Sequence, residues 1–441
     1  MANSTAFYTD HYELTMIDAA LQSGTAHRPS VFELFTRRLP GARRYGVLAG
    51  TGRLLQAISD FRFTDAQLTW LSDQSFLRDE TLDWLANYRF SGNIYGYPEG
   101  ELFFPGSPLL TVESSFAEGV LLETLALSIL NADSAVATAA SRMYTAAKGR
   151  PLAEMGSRRT AETSAVNAAR AAYLAGFNAT SNLEAGRAYG VPTMGTAAHA
   201  FTLLHDSEAD AFAAQVASFG ANTTLLIDTY DIQQGVRNAI AAAGPELGAV
   251  RIDSGDLPVV VQEVRELLDS LGAKNTKITV TNDLDEYTIA ALCASPVDNF
   301  GVGTSVATGS GSPTMSMVYK LVARQDSNGN WVNVAKRSAA KASVGGKKTA
   351  FRSFDRNGVA DTEILIADTP HAAPLQQFDV VEGTAERITV PLVINGDPLP
   401  EHLGVAGLQA ARARHKTRVA QLPPLGHSLQ RGEPVLATVL R

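Results

Sequence analysis

The sequence predicts an α/β protein in which an irregular parallel α/β barrel is accompanied by a second, α+β domain formed by the N- and C-terminal parts of the chain. In the middle of the chain, short apolar runs followed by polar clusters alternate with helix-like stretches. Such alternation with short connections is typical of a parallel sheet. On both sides of this region the pattern changes to short strands and separate helices, which is typical of α+β structure.

Short apolar runs, each followed by a polar or glycine-rich cluster, are the predicted strands of the barrel. They are Leu152–Met155, Phe177–Ala179, Val191–Met194, Thr224–Ile227, Gly248–Ile252, Lys277–Val280 and Phe300–Val302. The clearest helix-like stretches between them are Glu162–Ala175, Glu208–Phe219, Ile232–Ala243, Val259–Leu271 and Leu284–Cys293. This number of strand–helix units favours a closed barrel whose eighth strand is irregular or absent. Because parallel α/β barrels carry their chemistry at the carboxyl ends of the strands, we expect the polar clusters to form one site.

The flanking parts of the chain predict a composite domain. The clearest elements there are a strand at Ser30–Arg37, a β-hairpin at Met317–Val322 and Trp331–Ala335, and a helix at Val405–Leu422. The strands have alternating apolar residues, and the hairpin halves are joined by a polar, glycine-containing turn. We therefore expect residues 1–117 and 317–441 to form the α+β domain and residues 118–316 to form the catalytic barrel.

Bulk composition excludes several classes of function. The chain has 441 residues and a formal net charge of −8, which argues against a general nucleic-acid or anionic-membrane binder. Its single cysteine, Cys293, excludes an intramolecular disulfide and a cysteine-based zinc site. The N-terminus lacks a signal-peptide pattern, and no apolar run looks long enough to cross a bilayer. We therefore expect a cytoplasmic protein.

The last predicted strand ends in a candidate phosphate site, Gly301-Val-Gly-Thr-Ser305. Small residues such as Gly303 let backbone N–H groups approach an anion, and the hydroxyls of Thr304 and Ser305 add donors. In α/β barrels a phosphate commonly binds after the last two strands. A plain tight turn is the alternative explanation.

Charged residues cluster after two other strands. Arg251 and Asp253 are two residues apart, so they point to the same side of their strand, towards the barrel interior or its mouth. Charged side chains are costly there unless they are fully paired with each other or have a functional role. Asp253 and Asp256 could hold Mg²⁺ or ribose hydroxyls, and Arg251 an anion; a structural ion pair is the alternative. The adjacent Arg158 and Arg159 suit phosphate or carboxylate recognition, with a solvated turn as the alternative.

His199 ends the cluster Gly195-Thr-Ala-Ala-His199, in which small residues precede it at a strand end. A structural and a functional role both fit this pattern. No lysine stands at a predicted strand end, which argues against a Schiff-base aldolase.

Taken together, these motifs resemble those of the nicotinate phosphoribosyltransferases. The matching segments follow the family order across nearly the whole chain. They are Thr9–Met16, Phe32–Pro40, Glu154–Arg159, Ala175–Asn182, Gly195–Phe201, Leu226–Tyr230, Val250–Leu257, Phe300–Ser305, Val318–Val322 and the basic run from Lys336 to Lys348. The resemblance implies that the barrel is of the type II phosphoribosyltransferase kind.

The resemblance also implies a reaction. Phosphoribosyl would be transferred from phosphoribosyl pyrophosphate to nicotinate, giving nicotinate mononucleotide and pyrophosphate for NAD biosynthesis and salvage. ATP would be a co-substrate whose hydrolysis is coupled to the transfer through a phosphohistidine. Mg²⁺ would be a cofactor, and the chain would form a homodimer with a second copy of itself. Since the pyridine nitrogen of nicotinate is unprotonated near neutral pH, catalysis needs positioning and charge stabilisation rather than a general base. The alternatives are a nicotinamide or other pyridine phosphoribosyltransferase and a non-catalytic sugar-phosphate-binding barrel.

Individual roles follow from the same resemblance. His199 would be the phosphohistidine, and Asp253 would act in catalysis. The implied nicotinate-binding residues are Tyr12 from the neighbouring subunit, Arg159, Thr196 and Arg251. The implied phosphoribosyl pyrophosphate-binding residues are Arg158, Asp228, Ser254, Gly255, Asn282, Gly303, Thr304 and Ser305. Asp253 and Asp256 are the expected Mg²⁺ ligands.

Overall fold

The computed structural model describes residues 4–336, 344–368 and 384–441. The chain forms two compact units, of which the first combines Met1–Thr138 with Ser312–Arg441 and the second is Ala139–Gly311. The division between them passes through a long helix, whereas the sequence analysis placed its boundaries at 117/118 and 316/317. Residues 337–343 of the basic run lie outside the described residues.

The first part of the chain is mainly helical, with short strands between the helices. Its helices are α1 (His11–Gln22), α2 (Thr51–Ser59), α3 (Asp65–Gln74), α4 (Asp79–Ala86), α5 (Phe116–Val120) and α6 (Glu123–Ala146). Its strands are β1 (Pro29–Thr36), β2 (Gly46–Val47), β3 (Asn93–Gly96), β4 (Leu102–Phe103) and β5 (Leu110–Ser115). Helix α5 begins at a capping box, in which the side chains of Ser115 and Glu118 each accept a backbone N–H of the other residue.

Strands and helices alternate through the second unit, as the sequence predicts. Its strands are β6 (Leu152–Glu154), β7 (Ala179–Thr180), β8 (Thr224–Leu226), β9 (Ala249–Ile252), β10 (Lys277–Val280) and β11 (Asn299–Val302). Its helices after α6 are α7 (Glu162–Leu174), α8 (Leu183–Tyr189), α9 (His199–Leu204), α10 (Glu208–Phe219), α11 (Ile232–Ala243), α12 (Leu257–Ser270), α13 (Glu286–Leu292) and α14 (Thr304–Ala307).

The last part of the chain supplies more strands to the first unit. They are β12 (Met317–Gln325), β13 (Trp331–Asn333), β14 (Lys347–Phe354), β15 (Ala360–Asp368), β16 (Thr384–Arg387), β17 (Val390–Ile394), β18 (Asp397–Pro398) and β19 (Ala437–Leu440). Helix α15 (Gly404–Ala420) lies close to the predicted helix. The predicted hairpin is confirmed, because β12 and β13 pair antiparallel with Gln325 opposite Trp331.

Antiparallel pairing of early and late strands builds the first unit. A seven-stranded sheet has the order β13-β12-β1-β5-β3-β17-β18. A four-stranded sheet has the order β16-β14-β15-β19, and β2 pairs with β4. Strand β1 lies between β12 and β5, so residues nearly 300 positions apart pair directly, for example Phe35 with Val318. This pairing explains why the two ends of the chain form one domain.

A parallel six-stranded sheet, in the order β7-β6-β11-β10-β9-β8, is the centre of the second unit. The α/β class is therefore as the sequence predicts. The strand predicted at Val191–Met194 is wrong, since only a single bridge between Thr193 and Thr180 forms there. Pro192 has no N–H to donate, so a ladder cannot extend through it.

The helical segment Phe116–Ala146 is an exception to the expectation that no apolar run is long enough to cross a bilayer. Its 31 residues are long and apolar enough to cross a bilayer by length and composition alone. However, 67% of its apolar window is buried inside the protein, as in the core helix of a globular domain. The expectation that no run is long enough is thus corrected, and burial within the fold accounts for the segment's apolar character.

Candidate active site

Three neighbouring strands of the parallel sheet bring polar side chains to the same level. Arg251 of β9 lies in register with the adjacent residues of β8 and β10. The paired residues are Leu226, Arg251 and Thr279, and two positions after each of them come Asp228, Asp253 and Thr281. Because the strands run parallel, these residues lie together beyond the carboxyl ends of the strands.

Arg251 is held by neutral oxygen atoms. Its Nε donates to Oγ1 of Thr281 at 3.1 Å, and its Nη1 donates to Oγ1 of Thr196 at 3.0 Å. The carboxylate of Asp253 is farther away, with Oδ1 at 3.8 Å from Nη2 of Arg251. The guanidinium is therefore oriented without being closely paired to a carboxylate, and it keeps charge with which to bind an anion.

Asp228 organises the loop that follows β9. Its Oδ2 accepts the backbone N–H of Asp253 at 2.8 Å and the hydroxyl of Ser254 at 2.7 Å. Its Oδ1 is buried and has no hydrogen-bond partner within the described residues. Gly255 follows with a φ of +88°, which glycine adopts without strain. Asp228, in the loop after β8, is thus bonded to the turn after β9 that contains the predicted residues Ser254 and Gly255.

His199 is the first residue of α9 and lies beside the loop that follows β8. Its Nδ1 is 3.0 Å from Oγ1 of Thr229. Its Nε2 is 3.9 Å from Oδ1 of Asp228. The imidazole is 40% exposed, whereas the Asp228 side chain is fully buried, so the ring has access to a ligand while a carboxylate lies behind it.

Glu154, at the end of β6, ties two loops together. Its Oε2 accepts the hydroxyl of Thr180 at 2.5 Å, and its Oε1 accepts the N–H of Gly156 at 2.5 Å. Burial raises the pKa of the Glu154 carboxyl, and these two hydrogen bonds oppose the rise. The loop beyond Gly156 carries Arg158 and Arg159, which are both exposed.

The glycine-rich segment after β11 packs closely against its neighbours. A Cβ on Gly301 would lie 2.7 Å from Cγ2 of Thr281, so only glycine fits there. Gly303, Thr304 and Ser305 follow at the start of the short helix α14 and are partly exposed.

Asn282 follows β10 and has a φ of +86°. Asparagine tolerates this left-handed conformation better than most residues. Its side chain is exposed at the carboxyl end of the sheet, near the level of Asp253.

Asp256 and Tyr12 are among the predicted site residues that the structure does not bring into these contacts. Asp256 is exposed at the N-cap of α12, where its side chain accepts no capping hydrogen bond. Tyr12 belongs to the first unit, on α1, and its side chain is 46% exposed. The next residue, Glu13, accepts both the backbone N–H and the hydroxyl of Thr124, which fixes α1 against the start of α6.

Comparison with known proteins identifies the family. The model of the nicotinate phosphoribosyltransferase (NAPRTase) N-terminal domain matches residues 7–131, and that of the NAPRTase family matches residues 151–371. Nicotinate phosphoribosyltransferase pncB1 of Mycobacterium tuberculosis is 54% identical over an alignment of 438 residues that covers 98% of this chain and 94% of that protein. The chain belongs to the nicotinate phosphoribosyltransferase family.

More distant members of the family agree. The Bacillus subtilis nicotinate phosphoribosyltransferase is 35% identical over 367 residues, or 80% of this chain and 74% of that protein. The crystal structure of human nicotinic acid phosphoribosyltransferase matches with a TM-score of 0.81 at 26% identity, covering 98% of this chain and 97% of that chain. The resemblance found in the sequence is therefore confirmed, and the protein is an enzyme of this family.

Within this nicotinate phosphoribosyltransferase, sequence analysis missed several residues that shape the site. They are Glu154, Thr180, Thr229 and Thr281. Glu154 and Thr180 are the last residues of β6 and β7, Thr281 directly follows β10, and Thr229 follows the predicted residue Asp228. The position of Thr281, directly after the predicted strand Lys277–Val280, could have indicated a site residue, but the motif pointed to the neighbouring Asn282.

The carboxylates at the ends of the strands could hold the expected Mg²⁺ only together with other ligands. In the described parts of the chain, no group of three or more His, Cys, Asp or Glu side chains is arranged to hold a metal ion. Mg²⁺ often uses only one or two protein carboxylates, together with water and substrate phosphates. The partly exposed carboxylate of Asp253 and the exposed carboxylate of Asp256 have the chemistry for such a site, which the substrate would complete.

Proposed function

We propose that the protein transfers phosphoribosyl from phosphoribosyl pyrophosphate to nicotinate, giving nicotinate mononucleotide and pyrophosphate for NAD biosynthesis. The 54% identity to a curated nicotinate phosphoribosyltransferase over nearly the whole chain supports the reaction. The observation in the structure that carries it is the guanidinium of Arg251, which two threonine hydroxyls orient and which makes no direct hydrogen bond to Asp253, whose Oδ1 is 3.8 Å from its Nη2.

Arg251 favours the acid over the amide as substrate. The nicotinate carboxylate can accept charge-assisted hydrogen bonds from a guanidinium that already has a fixed direction. Nicotinamide would leave the same guanidinium with an unpaired charge, which is costly in a partly buried site. Thr196 lies beside Arg251 and would contact the same substrate, and Arg159 would reach it from the loop after β6.

The phosphoribosyl pyrophosphate would lie between two loops. Asp228 and the turn of Ser254 and Gly255 would bind the ribose and its phosphate, and Arg158 and Asn282 would add contacts from the loops after β6 and β10. Gly303, Thr304 and Ser305 would offer backbone N–H groups and hydroxyls to a phosphate. The bond from the anomeric carbon to pyrophosphate breaks as the bond to the pyridine nitrogen forms, and the negative charge of Asp253 stabilises the cationic sugar between them.

Asp253 and Asp256 would hold Mg²⁺ together with the pyrophosphate oxygens. When bound, Mg²⁺ supplies positive charge that neutralises the departing pyrophosphate. The carboxylate of Asp253 is oriented for this role by the hydroxyl of Thr281, from which it accepts a hydrogen bond.

His199 would couple ATP hydrolysis to the transfer. One imidazole nitrogen forms a bond to the γ-phosphorus while the bond between that phosphorus and ADP breaks. The buried carboxylate of Asp228 near Nε2 would favour the tautomer with the proton on Nε2, which leaves the lone pair on Nδ1. Thr229, now 3.0 Å from Nδ1, would have to give way to the phosphoryl group.

The remaining parts of the proposal concern assembly and fold. We place the enzyme in the cytoplasm as a homodimer in which Tyr12 of one subunit stacks on nicotinate in the other. The exposed position of Tyr12 on an anchored helix supports this role. The parallel sheet would be that of the irregular type II phosphoribosyltransferase barrel.

Product formation tests the proposal directly. Purified protein is incubated with phosphoribosyl pyrophosphate, Mg²⁺ and either nicotinate or nicotinamide, with and without ATP. We expect nicotinate mononucleotide from the acid, little product from the amide, and a higher rate with ATP. Equal rates on acid and amide would favour the alternative of a broader pyridine phosphoribosyltransferase, and binding without turnover would favour a sugar-phosphate-binding protein.

A further inference from the structure

Thr281 stands between the two charged groups at the centre of the site. Its residue is only 4% exposed. Its Oγ1 accepts a hydrogen bond from Nε of Arg251 at 3.1 Å and donates one to Oδ1 of Asp253. One hydroxyl therefore binds the cation and the anion at the same time.

The direction of this hydroxyl is fixed by the rest of the residue. The backbone N–H of Thr281 donates to the carbonyl of Ile252 at 2.9 Å. The methyl group Cγ2 of Thr281 packs against Gly301. A Cβ at position 301 would lie only 2.7 Å from this methyl group, so glycine is needed there. A β-branched side chain that is packed on its methyl side has little freedom at χ1, so the hydroxyl stays near Arg251 and Asp253, with the carbonyl oxygen of Ile252 a longer contact at 3.4 Å.

The distances show what the hydroxyl prevents. Nη2 of Arg251 and Oδ1 of Asp253 are 3.8 Å apart, beyond direct hydrogen-bond distance. Arginine and carboxylate groups readily close into a direct, often bidentate pair when nothing lies between them. Such a pair would use the charge of Arg251 that the substrate carboxylate needs, and it would turn Asp253 away from the sugar.

We propose that Thr281 is a positioning residue that keeps Arg251 and Asp253 apart and thereby sets the preference of the enzyme for a pyridine carboxylate over a pyridine carboxamide. This inference rests on the proposed function, in which Arg251 binds the nicotinate carboxylate. Thr196 holds the other side of the guanidinium at Nη1, so loss of the Thr281 hydroxyl frees Nε while Nη1 stays held.

Thr281→Val and Thr281→Ser form a matched pair for the test. Valine keeps the shape and the methyl contact with Gly301 but removes the hydroxyl, whereas serine keeps the hydroxyl. For Thr281→Val we expect KM for nicotinate to rise about tenfold, the size of effect expected when a charged group loses a hydrogen bond. KM for phosphoribosyl pyrophosphate should change much less, and the ratio of kcat/KM for nicotinate to that for nicotinamide should fall about tenfold. Thr281→Ser should stay near the wild type in both respects.

A double-mutant cycle with Arg251→Ala shows whether Thr281 acts through Arg251. If it does, adding Thr281→Val to Arg251→Ala produces no further loss of selectivity for the acid. Independent, multiplying losses would overturn the inference. Thr281→Ala removes the hydroxyl without adding bulk and replaces the valine variant if that variant does not fold.

The outcomes separate this inference from the proposed function. A wild-type acid-to-amide ratio in Thr281→Val, combined with a large loss in Arg251→Ala, overturns the role of Thr281 and leaves the nicotinate site intact. An unchanged KM for nicotinate in Arg251→Ala overturns the nicotinate site and the inference together. A loss of stability alone, with an unchanged KM and ratio, would show that Thr281 is only structural.

Discussion

Oδ1 of Asp228 lies 3.9 Å from Nε2 of His199 at the carboxyl end of the parallel sheet. The other carboxylate oxygen, Oδ2, is fixed by Asp253 and Ser254, so the carboxylate cannot turn freely. Oδ1 is buried without a hydrogen-bond partner among the residues that the structure describes. A buried oxygen of this kind gains a partner from a small rotation of the imidazole or from a bound ligand.

Asp228→Asn should therefore uncouple ATP from phosphoribosyl transfer. The asparagine carbonyl takes over the hydrogen bonds at Oδ2, and its NH₂ group then faces Nε2 of His199. This donor favours the wrong imidazole tautomer, with the proton on Nδ1. We expect ATP-dependent phosphorylation of the enzyme to fall by about two orders of magnitude, measured with γ-labelled ATP, while slow ATP-independent transfer remains. Asp231→Asn is the matched control, since it keeps the N-cap of α11 and should phosphorylate normally.

Gly156→Ala should destabilise the second unit. A Cβ there would lie 2.7 Å from Cβ of Ala307 and 3.0 Å from the carbonyl oxygen of Gly303, so backbone must move. Overpacking of this kind costs about 1–3 kcal/mol, and we expect Tm to fall by several degrees in a thermal unfolding experiment. Gly195→Ala is the comparison, because no atom of the described residues, apart from the adjoining chain, lies within 4 Å of its Cβ position, and its Tm should match the wild type. Equal Tm values for both variants would contradict the close packing.

Arg352→Met should destabilise the first unit strongly. The Arg352 side chain is 2% exposed and donates to Glu363 at 2.9 Å and to Glu101 at 2.6 Å, both fully buried. Removing the cation leaves buried carboxylates without their main partner, which costs about 3–5 kcal/mol. The measurement is chemical or thermal unfolding. Arg187→Met breaks a fully exposed pair with Glu184 and should unfold like the wild type.

His415 predicts how stability depends on pH. Burial within α15, with a contribution from the charge of Arg412, lowers the pKa of His415 to about 3. Its pKa in the unfolded chain is about 6.5, so below that value the unfolded state binds a proton that the folded state does not. Stability then falls as the pH decreases, by at most about 1.4 kcal/mol per pH unit. We expect Tm to fall less steeply on acidification for His415→Gln than for the wild type. The exposed His27→Gln should keep the wild-type slope, and equal slopes for all three proteins would contradict the assignment.

Much of the fold was predictable because it depends on local patterns. Apolar runs and helix periodicity located the parallel strands, and the polar turn between β12 and β13 predicted their hairpin. The strand at Val191–Met194 was mispredicted because its apolar content was given more weight than Pro192, which has no N–H for a strand ladder. The long apolar segment Phe116–Ala146 was missed because polar residues within it conceal it from a search for unbroken apolar runs.

The sequence by itself determined the family, the strand ends that carry the chemistry, and the identity of Arg251, Asp253 and His199 as candidate site residues, because motif order and residue type are properties of the chain. Only the tertiary structure decided which of these side chains act on one another. Thr281 reaches Arg251 and Asp253, and Asp228 lies behind His199, because the strands pair in one particular register. A hydrogen bond forms or fails with a change of a few tenths of an ångström in the donor–acceptor distance. Here the partners are about 30 positions apart in the chain, and no local pattern contains that information.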